Sequence, residues 1–392
     1  MSSAVMPTYA RADVAFERGE GPYLYATDGR RFLDFGGGIA VVALGHCHPH
    51  LSEAIATQAR TLMHTSNLFE IPGQTRLAER ITQNSFADLV FFTNSGAEAN
   101  EGVLKLARRY HHVNGNPERW RIITFEGAFH GRTLATIAAG GGAKLLDGFG
   151  PKVEGFDQVP FADLDAVEAA ITAETAAVHV EPILGEGGIV PLPDGFLNGL
   201  RRLCDKHGIL LTLDEVQTGI ARTGRFLAHE WDADSRPDAA ALGKGIGGGF
   251  PMGAFIATAE AAKGMVPGTH GSTYGGNPLA MAAGNAVMDV VLEDGFMAHV
   301  EEMGTLLRGR LDEISRRNDS FIEEVRGKGL MLGIKCSAPN GDVVNALRAK
   351  GLLSVPAGDN AVRLLPPLTI TAEHVEEAAG IIEDVCRELN QG

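Results

Sequence analysis

The chain has 392 residues, too many for one ordinary compact core, and its 44% hydrophobic and 21% charged content is that of a soluble globular protein. A net charge of -15 at pH 7 argues against nucleic acid as a partner, which requires a basic face, and against a polybasic membrane anchor. The 4 cysteines (Cys47, Cys204, Cys336, Cys386) are widely spaced, no secretory signal or transmembrane-length apolar run is visible, and the expected location is the cytoplasm.

In chain order, "YLYATDGRRFLDF" reads as short strands with a hairpin turn at Asp28-Gly29. "GHCHPH" sets His46, Cys47, His48 and His50 side by side, but adjacent side chains rarely chelate one ion. It is read as a turn before a helix beginning near Pro49, and no metal site is expected. Next come apolar runs that read as strands: "LVFFT" (Leu89–Thr93), "RIITF" (Arg121–Phe125), "AAVHVEP" (Ala176–Pro182), "ILLTLD" (Ile209–Asp214), "DAAAL" (Asp238–Leu242) and "MGAFIAT" (Met252–Thr258). Amphipathic helical patterns such as "EANEGVLKLARRYHH" and "GFLNGLRRLCDKHG" separate them, the alternation of an α/β fold with a mostly parallel sheet. After Asn277 a long helical pattern begins, and the last hundred or so residues mix strands with helices. The expected organisation is an N-terminal segment (1–48) packing with the small domain, a large cofactor-binding α/β domain (49–280) and a small α+β domain (281–392).

The 50 glycines cluster where apolar runs meet helical patterns, and three such junctions carry chemistry. At "TNSGAEAN", Asn94-Ser95-Gly96 lies between strand and helix, where free backbone N–H groups can hold an anion; Ser95-x-x-Glu98 also reads as a capping box. At "LLTLDEVQTG", Asp214 and Glu215 end an apolar strand, the edge of a parallel sheet that lines the active-site crevice. At "ALGKGIGGG", Lys244 ends the next strand. Its glycines mimic a dinucleotide fingerprint, but they lead into another strand-like run and the following acid, Glu260, comes too soon. A P-loop fails as well, since Asp238 and Gly245 stand where it needs Gly and Ser or Thr. A carboxylate and a lysine from consecutive strand ends, near a phosphate turn, suit pyridoxal phosphate. The lysine holds the aldehyde as a Schiff base and the carboxylate keeps the ring nitrogen protonated. "EGAFHGRT" adds Phe129, which could stack on a ring or fill the core, and Arg132, which could clamp a carboxylate or form a surface pair.

Together these stretches resemble the class-III aminotransferases, the ω-amine branch of the fold-type-I pyridoxal phosphate enzymes, over nearly the whole chain. The most specific piece is "LDEVQTGIARTG" followed by "ALGKGIGGG"; within the family, "GGGIAVVALGH", "TNSGAEAN", "HGRT", "GEGG" and "HGSTYGGNPLA" are most similar to the bacterial acetylornithine branch. The resemblance implies a large domain with a central sheet flanked by helices, plus a smaller α+β domain. It implies that Lys244 is the Schiff-base lysine and proton shuttle and that Asp214 pairs with the ring nitrogen. Gln217 would contact the ring hydroxyl, Phe129 would stack on the ring, and Glu215 and Val216 would complete the cofactor-binding segment. Ser95, Gly96 and Ala97 would hold the phosphate, joined by Thr273 from the neighbouring subunit of a homodimer with shared active sites. On the substrate side, Arg132 would bind the α-carboxylate of the donor, with Ser272 and Tyr9 nearby. Glu186 and Arg363 would form a switch that admits 2-oxoglutarate or glutamate.

The reaction implied is ping-pong transfer of the terminal amine of N-acetylornithine to 2-oxoglutarate, in arginine biosynthesis. Other ω-amine donors remain open: N-succinyl-diaminopimelate, N-succinylornithine, ornithine or 4-aminobutyrate. Ser272 stands where acetylornithine enzymes commonly have threonine and ornithine enzymes can have serine. An aminomutase on the same fold is disfavoured, because an intramolecular exchange needs no keto-acid switch.

Overall fold

Residues 4–317 and 321–389 are described by a computed structural model. At its centre is a seven-stranded sheet in the order Leu89–Thr93, Gly253–Ala257, Ala239–Leu242, Leu210–Asp214, Thr175–Val180, Arg121–Phe125, Phe156–Val159. All strands run the same way except Gly253–Ala257, which is antiparallel to both neighbours. The fold is therefore α/β with a mixed, mostly parallel sheet. Two features differ from the sequence reading. The edge strand Phe156–Val159 is absent from the strands read in the sequence, and the run at Met252, read as a strand without a direction, returns antiparallel.

Every residue of Thr175–Val180 and Leu210–Asp214 is buried, because helices cover both faces of the sheet. Side chains alternate across a strand. Leu211 and Leu213 accordingly join the cluster that includes helix Phe196–His207, while Leu210 joins the cluster of helix Gly96–Val113 on the other face. What remains for chemistry is the carboxyl edge, where Thr93, Phe125, Val180, Asp214 and Leu242 end their strands together.

Two smaller sheets flank this edge. Near the N-terminus, Phe16–Glu20, Tyr23–Ala26 and Arg31–Asp34 form an antiparallel meander, extended in parallel by Leu352–Leu353. The expected turn at Asp28-Gly29 is present, with Gly29 at φ 86°. The second sheet pairs Ile322–Lys328, Met331–Cys336, Ala361–Leu364 and Val355–Pro356 antiparallel, against helix Phe296–Arg317, which in turn packs on Ala372–Leu389. The buried guanidinium of Arg222, in the segment after Asp214, donates to the carbonyls of Leu330 and Pro366. That bond pair anchors the C-terminal sheet, and Arg363 with it, to the central sheet.

Candidate active site

Strand Leu89–Thr93 feeds through Asn94 and Ser95 into helix Gly96–Val113. Ser95 Oγ accepts the Glu98 N–H at 3.2 Å, half of the capping box. The Glu98 carboxylate reaches back one residue further than that box predicts, to the N–H and side chain of Asn94. The N–H groups of Gly96 and Ala97, in the first turn, have no intrahelical acceptor and face the positive end of the helix dipole. A Cβ on Gly96 would sit 2.6 Å from Val216 Cγ1, and one on Gly243 would sit 3.0 Å from the same methyl. Only glycine lets Val216 wedge between the phosphate-type turn and the lysine turn.

Lys244 opens a tight turn, Lys244–Gly247, with φ 48°, a left-handed conformation costing ~1–3 kcal/mol for a side-chain-bearing residue. Burial lowers its amine to about 8, against the pull of Glu186, Asp214 and Glu181; the charge of Arg363 lowers it further. The fields of these four groups, from the 181–186 stretch, the end of strand Leu210–Asp214 and strand Ala361–Leu364, all act on the Lys244 amine.

Asp214 ends the strand adjacent to the one that leads to Lys244, in register with Ala241. Its Oδ2 accepts from His130 Nδ1 at 2.8 Å and from Asn100 Nδ2 at 2.7 Å, and its Oδ1 accepts the Val216 N–H at 3.0 Å. Burial alone would raise this carboxyl, but the bond to His130 and the charges of His130 and His179 hold it below the usual carboxylate range. His130 is correspondingly raised: its burial is more than offset by the bond to Asp214. His179, tilted against His130 at 4.5 Å between centroids and bonded through Nδ1 to Thr212, is pushed down to about 3 by burial. Donor atoms of His130, His179 and Asp214 lie within 4.8 Å of one another, a spacing that a metal could use. Among these atoms, His130 Nδ1 and Asp214 Oδ2 are paired with each other at 2.8 Å. Two of the three histidines of "GHCHPH" face separate carboxylates, His46 on Asp34 and His50 on Asp289, each at 2.8 Å.

Glu181, just past the end of Thr175–Val180, accepts the Phe129 N–H at 2.8 Å and the Gly185 N–H at 3.0 Å. Burial and the charge of Asp214 push it up to about 7. It ties the Phe129 loop to the turn that carries Glu186. Across from it, Arg363, 1% exposed, donates to Glu186 at 2.6 Å and to the Pro356 carbonyl at 3.2 Å. Gln217 Oε1 accepts from the same guanidinium at 3.5 Å, and its side-chain amide packs over Gly185, where a Cβ would sit 2.3 Å from Gln217 Nε2. Arg132 is exposed, 5.6 Å from the Phe129 ring centroid, with no carboxylate partner among the described residues.

Four sequence-predicted residues lie apart from this cluster. The Glu215 carboxylate turns away and accepts from Thr218, Ala228 N–H and His229 N–H, holding the loop after Asp214. Tyr9 is 76% exposed, and no hydrogen bond or ring contact among the described residues joins it to the cluster. Ser272 and Thr273 line a separate cleft of about 1070 Å³, with Ser272 Oγ 3.2 Å from Asn94 Nδ2. Three residues that the sequence reading did not name, Asn100, His130 and Glu181, complete the buried array.

Burial pushes Glu215 up to about 7 from 4.5. Between those values the folded chain holds a proton that the unfolded chain has released, so stability should fall as pH rises from about 4.5 to about 7. Unfolding of the wild type and of Glu215→Gln across that range tests this. The wild type should lose on the order of 3 kcal/mol relative to the variant by pH 8. Parallel curves would show that Glu215 stays ionised throughout.

The pocket thus offers a buried amine of lowered basicity, a carboxylate held ionised, and a helix N-terminus for a phosphate. Oδ1 of Asp214 keeps a free lone pair beside its single N–H donor, which suits a protonated ring nitrogen. These groups fit pyridoxal phosphate.

Residues 5–386 match the family model described as "Aminotransferase class-III". The acetylornithine aminotransferase of Agrobacterium fabrum is 59% identical over 392 residues, covering 99% of this chain and 98% of that protein. That of Mesorhizobium japonicum is 61% identical, covering 96% and 94%. Among solved structures, ornithine aminotransferase from Toxoplasma gondii ME49 superposes with a TM-score of 0.95 at 32% identity, covering 99% of this chain and 93% of that one. A second structure of the Toxoplasma enzyme, with a TM-score of 0.94, has PLP in partial occupancy at its active site. The N-acetylornithine aminotransferase of Stenotrophomonas maltophilia K279a gives 0.85 at 37% identity, covering 98% of each chain. With its strand-end lysine, ionised carboxylate and full-length match, the chain belongs to the class-III aminotransferases, and its cofactor is pyridoxal phosphate.

Proposed function

We propose that this enzyme moves the terminal amine of N-acetylornithine to 2-oxoglutarate, giving N-acetylglutamate semialdehyde and glutamate, in the cytoplasm. The observation that carries the reading is the pair of unlike arginines. Arg132 is exposed and has no carboxylate partner among the described residues, whereas Arg363 is buried against Glu186. The donor brings one carboxylate and the acceptor two. With the donor bound, its α-carboxylate lies on Arg132, its far amine lies near Lys244, and Glu186 stays on Arg363. With 2-oxoglutarate bound, Glu186, whose side chain is 35% exposed, swings out and Arg363 takes the α-carboxylate. A guanidinium this buried needs an anion at every stage, since an unpaired buried charge costs ~3–5 kcal/mol. Relatives named for acetylornithine, together with the closest match of "HGRT" and "GEGG" to that branch, favour the acetylated donor.

Pyridoxal phosphate, when bound, supplies an aldehyde that exchanges amines and a ring that stores an electron pair. Lys244 holds that aldehyde between turnovers. Near neutral pH, an amine held down to about 8 is neutral often enough to take a proton from the substrate carbon and return it. Asp214 keeps the ring nitrogen protonated, Phe129 and Val216 border the ring, Gln217 meets its hydroxyl, and Ser95, Gly96 and Ala97 hold the phosphate. The assembly we infer is a homodimer with shared sites, in which Thr273 of each copy reaches the phosphate held by the other. In its support, Thr273 lines an open cleft near exposed Leu68, Phe69 and Tyr274, a rim suited to burial by a second copy.

Single-turnover rates test both halves. N-acetylornithine should convert the bound cofactor faster than N-succinylornithine, ornithine or 4-aminobutyrate; a clear preference for one of those would replace the donor named here. In Glu186→Ala, the glutamate half-reaction should gain on the acetylornithine half by ~10-fold or more, because Arg363 is released. Equal losses in both halves would end the switch.

A further inference from the structure

Helix Gly96–Val113 turns its apolar stripe, Ala99, Val103, Leu106 and Ala107, into the sheet, and Asn100 stands in that stripe, 1% exposed. Its side-chain nitrogen donates twice, to Asp214 Oδ2 at 2.7 Å and to the His130 carbonyl at 2.9 Å. Both partners are acceptors, which fixes the orientation of the amide. Its own Oδ1 is buried without a hydrogen-bond partner among the described residues. An amide serving only to fill the interior would satisfy both ends; this one is placed for its N–H groups.

Together with His130 Nδ1, Asn100 saturates Oδ2 of Asp214. Oδ1 has one N–H donor, from Val216, and keeps the remaining lone pair. The two carboxylate oxygens are thus made unequal before any ligand arrives. Asn100 also lies one helical turn beyond Gly96 and Ala97, so a single side chain links the helix end that suits a phosphate to the carboxylate that suits the ring nitrogen.

We propose that Asn100 is a positioning residue for the transamination. It fixes Asp214 so that Oδ1 is the atom presented to the cofactor ring nitrogen, at a set distance from the phosphate site. The inference rests on the role proposed above for Asp214. The charged and titratable groups facing Asp214 are His130, His179, Glu181 and Lys244.

The test uses the holoenzyme of three variants, with two readouts besides rate: the pH dependence of the bound cofactor's visible absorption, and the dissociation constant of pyridoxal phosphate. Asn100→Ala removes the donors. It should slow the amine half-reaction by about 10- to 100-fold with little change in KM, weaken cofactor binding and shift the absorption titration. Asn100→Asp keeps the shape and exchanges donors for a carboxyl. Beside Asp214 that carboxyl holds a proton at low pH and donates its single O–H to Oδ2 in place of the amide, then loses it as pH rises. Its rate should therefore approach that of the wild type in acid and fall below that of Asn100→Ala in alkali.

The proposal is overturned if Asn100→Ala matches the wild type in rate and absorption, or if Asn100→Asp follows the wild-type pH profile. Should Asn100→Ala not fold, the isosteric Asn100→Asp decides alone. Asp214→Asn separates the two levels: if it leaves the cofactor absorption and the rate unchanged, the role of Asp214 itself is lost. If it changes both while the Asn100 variants change neither, only the present inference is lost.

Discussion

Replacing Lys244 by alanine is expected to cut turnover by ~10⁴-fold or more while the chain still folds. A general base contributes about 10²–10⁴-fold on its own, and here the same amine also holds the cofactor covalently. The turn itself should survive, because its flanking strands are locked in the sheet at Leu242 and Gly253 and the backbone bonds of the turn involve no side chain. Relief of the left-handed strain is not expected, since alanine meets the same Cβ clash. The direct check is borohydride reduction followed by dialysis. Wild-type protein should retain the cofactor on Lys244, and Lys244→Ala should lose it. A covalent adduct persisting in the variant would overturn the assignment.

Asp214→Ala should be the second most damaging change, lowering both stability and rate. It leaves a buried His130 cation, one Asn100 N–H and the Val216 N–H facing a void. Breaking a buried pair in this way costs ~3–5 kcal/mol. A comparable loss in the transition state corresponds to roughly 10²–10³-fold in rate. Denaturant unfolding of the apoprotein and single-turnover rates of the holoenzyme separate the two effects. Lower stability with an unchanged rate would reduce Asp214 to a structural role.

Parts of this site can be read from the sequence because short apolar runs stop at single charged residues. "LLTLD" ends in Asp214 and "AAAL" is followed by Gly243-Lys244, and a parallel sheet brings such ends to one edge. The pairing of Glu186 with Arg363 is different in kind: the two are 177 positions apart, and only resemblance to a family connects them before the structure is known. Asn100, His130 and Glu181 went unread, although a signal existed. Asn100 interrupts the buried stripe of its helix, and Glu181 follows the run 176–180, apolar except for His179. Polar residues in such places need partners.

The direction of Gly253–Ala257 was hidden because a strand buried on both faces reads alike either way. The clue was the connection: residues 243–252 are too few for the dozen or more that a parallel crossover takes. The edge strand Phe156–Val159 was missed because "FDQV" carries polar residues at its centre, one of them, Asp157, bound to Arg121 on the neighbouring strand.

That antiparallel return also bears on the order in which the pocket assembles. The Lys244 turn joins two strands that are neighbours in both sequence and space, so it forms by closing a short loop. The surroundings of Asp214 are gathered from far along the chain, with His130 at a separation of 84 residues and Asn100 at 114. Remote contacts reward the chain only after their closure entropy has been met. A nascent or partly unfolded molecule can therefore close the Lys244 turn before the carboxylate array that recognises a ring is in place, and the amine gains its lowered basicity only when the rest of the fold buries it.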